Sequence, residues 1–178
     1  MNNSNAVNYY ETVPRSRREL RAYARQLREA TSTQNQFEFP IMQFLEFLMP
    51  SLNVELSIID DSDWNREHPE GVHAFFTENT IFIKQSVYDG AVEGRGRDRM
   101  TVAHEIAHAL LIPHSPIRLF RSQNGTLPPA YRDPEWQAKC LAGELLISYD
   151  LCKGLSVGEI AAKCKVSYDA ARTQKKCF

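Results

Sequence analysis

The chain has 178 residues, 43% of them hydrophobic and 24% charged, with a net charge of -1. That balance suits a soluble globular protein with one sizeable core and gives no global sign of a nucleic-acid or membrane partner. The opening "MNNSNAVNYYETVPRSRREL" has no apolar leader core, and no later run reaches the roughly 18 apolar residues of a membrane span, so a cytoplasmic location is expected.

In chain order, residues 1–14 are polar and are expected to form a disordered tail, with 15–178 as a single domain and no added sensor domain. "RSRRELRAYARQLREA" places Leu20, Tyr23, Ala24 and Leu27 at helical spacing, and its arginines from Arg15 to Arg28 are read as a solvated face. "FPIMQFLEFLMP" predicts a buried helix bounded by Pro40 and Pro50. Three short runs follow, "VELSIID", "GVHAFFT" and "TIFIK", rich in β-branched and aromatic residues; the last two are joined at Glu78-Asn79 as a hairpin. From residue 97 the pattern is helical, apart from a Pro- and Gly-marked loop at 113–132. The fold class is therefore α+β, mainly helical with a small antiparallel sheet.

"TVAHEIAHALL" puts His104 and His108 four residues apart. On a helix that spacing is about 40° around the axis and about 6 Å along it, so both imidazoles can reach one ion. Glu105 lies at the edge of the same face, close enough to hold a water on that ion and accept its proton. Two core histidines on an amphipathic helix are the plain alternative. The flanking residues favour the metal reading: Met100, Ala103, Ala107 and Leu110 keep helical spacing, Asp98 suits an N-cap, and Pro113 ends the run.

A catalytic zinc ordinarily takes a third protein ligand. In "DPEWQAKCLAGELL", Asp133 reads as an N-cap and Pro134 as a first-turn proline, which places Glu135 at the start of a second helix on the side shared with Ala138 and Ala142. Glu135 is the preferred ligand. Glu144 is a rival half a turn round and is expected to face solvent, while His114 and Asp133 are rivals at helix boundaries. The four cysteines, Cys140, Cys152, Cys164 and Cys177, form no C-x-x-C pair and are expected to be free thiols.

The segments "RDRMTVAHEIAHALL", "EWQAKCLAGELL" and "TIFIK" together resemble the ImmA/IrrE-type metallopeptidases, over roughly residues 78–174. The resemblance implies a zincin-like domain with the sheet over the H-E-x-x-H helix, Zn2+ held by His104, His108 and Glu135, and Glu105 as general base. It further implies cleavage of a helix-turn-helix repressor encoded nearby, which switches on the genes that repressor silences. Met100 replaces the family's Phe, Ala107 a common Gly, and "LIS" a frequent Leu-Met-Pro; the ligands are intact. "TIFIK" is expected to be an edge strand that pairs with substrate through Thr80 and Phe82.

"LSVGEIAAKCKVSYDAARTQ" looks like a helix-turn-helix and supports a competing reading as a DNA-binding regulator. Family members carry a similar segment as closing helices of the peptidase domain, and the net charge does not favour DNA, so 155–174 is assigned to the domain. A third reading is a non-catalytic, zinc-bound protein that captures a partner.

Overall fold

Ser16 and Glu19 start the first helix by a reciprocal exchange: the Ser16 N–H donates to Glu19 Oε2 at 2.7 Å, and the Glu19 N–H donates to Ser16 Oγ at 3.3 Å. Two donors that a helix start leaves open are thereby satisfied. The helix, α1 (Arg17–Ala30), buries Leu20 and Ala24. The computed structural model describes residues 7–112, 117–122 and 128–178.

The tail expected through residue 14 is a strand from residue 7: β1 (Val7–Glu11) pairs antiparallel with β5 (Arg118–Ser122). Beyond it, the Thr12 and Arg15 N–H groups donate to the Arg132 and Tyr131 carbonyls, each at 2.8 Å. These partners lie more than a hundred residues away, and local polarity could not reveal them. The loop expected at 113–132 likewise contains β5 and a 3-10 turn (Ala130–Arg132).

The second helical stretch runs as α2 (Ile41–Gln43), a π turn (Phe44–Leu48) and α3 (Met49–Ser51). Pro50 does not end it at once: it lies within α3, and the helical stretch runs one residue further, to Ser51. Phe39, Ile41, Phe44, Leu45 and Met49 from this stretch enter the core.

A three-stranded sheet follows, with β2 (Glu55–Ile59), β3 (Ala74–Thr77) and β4 (Thr80–Lys84); α4 (Asp61–Glu67) connects the first two. Glu78 and Asn79 both adopt positive φ, 48° and 61°, as a two-residue hairpin turn with the correct twist requires. The expected antiparallel sheet is mixed, because β2 joins the β3–β4 hairpin in parallel register, Ile58 opposite Ile83. The order β2-β4-β3 makes β4 central. This overturns the assignment of Thr80 and Phe82 to a substrate-pairing edge: both sides of their backbone are taken by neighbouring strands, and the Phe82 ring stacks on Phe75 at 4.9 Å.

Helix α5 (Gln85–Val92) leads to α6 (Gly96–Leu111), which packs against β3, β4 and α7 (Pro134–Leu146). Asp98 is not the N-cap of α6; Arg95 holds that position, and Asp98, in the first turn, pairs with Arg95 at 3.2 Å. The start of α6 abuts the turn between α9 (Val157–Cys164) and α10 (Tyr168–Lys175) so closely that a Cβ on Gly96 would lie 2.4 Å from the Ser167 nitrogen. Arg99 fixes the same junction, donating from Nε to the Lys165 carbonyl at 3.1 Å and from Nη2 to the Phe39 carbonyl at 2.8 Å. The turn between the closing helices is thus fixed to the start of the helix that carries the two histidines, and α10 also contacts α7.

Four of the arginines on α1 are engaged within the chain rather than left as a solvated face, while Arg18 is exposed. Arg21 grips Glu144 of α7 through Nε at 2.8 Å and Nη2 at 3.0 Å, Arg17 reaches the same carboxylate at 3.4 Å, and Arg25 holds Asp150 of α8 (Tyr149–Cys152) at 2.6 Å. Buried Arg28 donates to the carbonyls of Leu145 at 2.9 Å and Gln36 at 2.7 Å, so that a guanidinium meets the open acceptors at the end of α7. The cysteines are free thiols, as expected, with Cys152 and Cys164 buried and their sulfurs 3.5 Å apart.

Candidate active site

The histidine helix owes its placement to two sets of small residues. Ala103 and Ala107 of α6, and Ala138 and Ala142 of α7, are all fully buried, and their short side chains let the two helices run close together. Helix α7 starts as its sequence indicates: the Asp133 carboxylate accepts from the Glu135 N–H at 2.9 Å, and Pro134 occupies the first turn. Glu135 is therefore held at the end of α7 that faces the two imidazoles.

Three side chains converge there. His104 Nε2 lies 3.2 Å from Glu135 Oε2, His108 Nε2 lies 3.1 Å from Glu135 Oε1, and the two Nε2 atoms are 3.1 Å apart. Ligands at about 2.0–2.1 Å around a tetrahedral zinc stand about 3.3 Å from one another, and one ligand atom from each of the three side chains lies within 4.8 Å of the others, close enough for the three to share one ion. Among the described residues, these three form a group able to hold a metal ion. The imidazoles hold the Glu135 carboxyl well below the usual carboxylate range, first through the contact with His104 and then through that with His108. The group is thus set up as an anion, the form in which a carboxylate ligates.

Glu105 is placed differently. It is 6% exposed, and burial raises its carboxyl above the usual range; His104, His108 and the Phe76 backbone on β3 oppose that shift. Its side chain still lines the cleft beside the histidines, as a proton acceptor must.

The rival ligands are elsewhere. Glu144, expected to face solvent, has a fully buried carboxylate held by Arg17 and Arg21, because α1 covers the side of α7 opposite Glu135. Asp133 serves as the α7 cap, and His114 lies outside the described residues.

A cleft of about 1520 Å³ opens over the three ligands. One wall is β3, through Ala74, Phe75 and Phe76; another is α10, through Ala170, Thr173 and Gln174. Sequence reasoning missed both walls. The "GVHAFFT" run was legible as half of a hairpin, but nothing local told which half lay outermost. Gln174 carried no signal, since a glutamine on an exposed-looking basic helix is unremarkable.

Two histidines one helical turn apart, a carboxylate from the adjoining helix and a buried glutamate between them, all beneath an open cleft, have the form of a metal-dependent hydrolase centre. The chain belongs to the peptidase family described as the IrrE N-terminal-like domain, a metal-dependent family whose model matches residues 68–174. No curated protein matches the chain. None of the described helices is long and apolar enough to cross a membrane.

Proposed function

We propose that the protein is a zinc-dependent endopeptidase that cuts a helix-turn-helix repressor and so releases the genes that repressor silences. The observation that carries the reading is the triangle of His104, His108 and Glu135 with Glu105 buried beside it. His104, His108 and Glu135 would hold a divalent ion, which would supply Lewis acidity for activating a water and polarising a peptide carbonyl.

The chain's own residues do the rest. The Glu105 carboxylate takes the proton of the attacking water and passes it to the departing amine nitrogen, and its burial strengthens its basicity. Among the described residues no strand pairs with the outer edge of β3, so the substrate backbone can lie extended along it, in contact with the wall that Phe76 shares with Glu105. The volume of the cleft, about 1520 Å³, suits a polypeptide better than a compact metabolite.

The regulator reading loses support from the placement of α10. Ala170, Thr173 and Gln174 wall the cleft; Arg172 pairs with Asp169, Lys175 donates to the Leu155 carbonyl, and Lys163 sits 4.7 Å from the Phe37 ring centroid. Several of the cations needed for phosphate contacts are engaged within the chain. The test is to incubate the zinc-loaded protein with the helix-turn-helix protein encoded beside it and to map any new termini by mass spectrometry. A single internal cut, lost on chelation and restored by zinc, supports the reading; an intact repressor with fully loaded enzyme rejects it.

A further inference from the structure

Gln174 is a polar side chain in an unusual position. It is 5% exposed, its amide nitrogen has no hydrogen-bond partner, and it lines the cleft that holds the candidate metal ligands. A buried donor without a partner costs free energy that a leucine of similar size would not incur. Helix α7 also gives way to it. Gly143 stands in the last turn of α7, and a Cβ there would lie 2.6 Å from Gln174 Oε1 and 3.3 Å from Cδ. The glycine leaves the space that the carboxamide fills.

We propose that this end of the cleft is a substrate subsite for a neutral carboxamide side chain, glutamine or asparagine, with Gln174 as the residue that selects it. The inference rests on the peptidase reading and adds a preference to it. A turn about the terminal torsion of Gln174 presents its N–H or its carbonyl to the cleft. A substrate carboxamide can pair with whichever end is turned outward, donating to Oε1 or accepting from Nε2, whereas an aliphatic side chain leaves that group unpaired. Ala170, one turn before it on α10, is small and lines the same cleft, which leaves room for the incoming group.

The helix sets the distance from the cut. Gly143 follows Glu135 by eight residues, about 12 Å along α7. For a substrate that runs alongside α7, advancing about 3.3 Å per residue, the selected side chain belongs to the third or fourth residue on one side of the scissile bond.

The test uses the full-length zinc-loaded protein and a peptide library prepared from a proteome, with cleavage sites read by mass spectrometry. Wild type is expected to enrich glutamine and asparagine over leucine at that position, with a roughly tenfold advantage in kcat/KM for matched peptides. Gln174→Leu should abolish the enrichment while still cutting the leucine peptide, and Gln174→Glu should shift it toward lysine and arginine, a change that a structural role would not produce. Gln174→Asn, which keeps the chemistry and shortens the reach, should retain part of the preference and guards against misfolding of the leucine variant. In parallel, calorimetry measures binding of the same glutamine and leucine peptides to Glu105→Gln, with and without Gln174→Leu. If wild type cuts nothing but Glu105→Gln binds the glutamine peptide in a Gln174-dependent way, peptidase activity fails and the subsite stands. Cleavage with no preference at that position, a preference that survives Gln174→Leu, or no Gln174-dependent binding in a protein without activity overturns the inference.

Discussion

Replacing Glu144 by alanine should destabilise the protein without touching the metal site. The carboxylate is fully buried and is held by Arg21 in a two-pronged grip of 2.8 and 3.0 Å, with Arg17 at 3.4 Å. Its removal deletes charge-assisted bonds that pin α1 to α7 and leaves Arg21, 18% exposed, without its counter-charge. Breaking a buried pair on one side costs about 3 kcal/mol, and for a chain of this length each kcal/mol lowers Tm by about 2–4 °C, so a fall of about 6–12 °C is expected. Thermal unfolding followed by circular dichroism measures the shift, and metal analysis of the folded protein should find wild-type content. The double variant Glu144→Leu with Arg21→Leu should recover much of the loss, because two apolar groups need no pairing. A Tm within 2 °C of wild type, or metal lost from a folded Glu144→Ala protein, would refute the reasoning.

Three further outcomes follow from the fold. Glu78→Asn with Asn79→Gly should raise stability by about 0.5–1 kcal/mol in denaturant titration, since both turn residues adopt positive φ and Asn-Gly suits that turn best. Phe82→Pro should lower both solubility and stability rather than cleavage alone, because β4 is bonded on both sides; a folded variant with wild-type Tm would place the strand at an edge after all. Iodoacetamide should label Cys177 first in the native protein, since the other three thiols are buried and burial pushes Cys140 up to about 12; early labelling of Cys140 would contradict its packing.

The candidate site was legible in the sequence where chemistry and local geometry coincide. The four-residue spacing of His104 and His108 needs only a helix, and the Asp133-Pro134 start of α7 sets the phase that turns Glu135, Ala138 and Ala142 to one side. What stayed hidden depends on partners distant in the chain. Glu144 looked solvent-facing because periodicity shows that it lies opposite Glu135 but not that α1 covers that side with Arg17 and Arg21. The order of the sheet was hidden for the same reason. β4 is drawn to the centre by a parallel partner, β2, that its own alternating pattern, with Ile81 and Ile83 buried, does not reveal. The β1–β5 pair escaped because neither strand carries an apolar alternation strong enough to stand out.

The most direct test of the metal centre compares wild type, Glu105→Gln and Glu135→Ala for bound zinc by mass spectrometry and for cleavage of the neighbouring repressor. Glu105→Gln keeps size and polarity and loses basicity, so it should retain zinc while cleavage falls by roughly a hundredfold or more. Glu135→Ala leaves two imidazoles, too few for tight binding, so zinc and cleavage should fall together while Tm without metal stays near that of wild type. Stoichiometric zinc in Glu135→Ala, or undiminished cleavage by a zinc-loaded Glu105→Gln, would contradict the assignment of ligand and base.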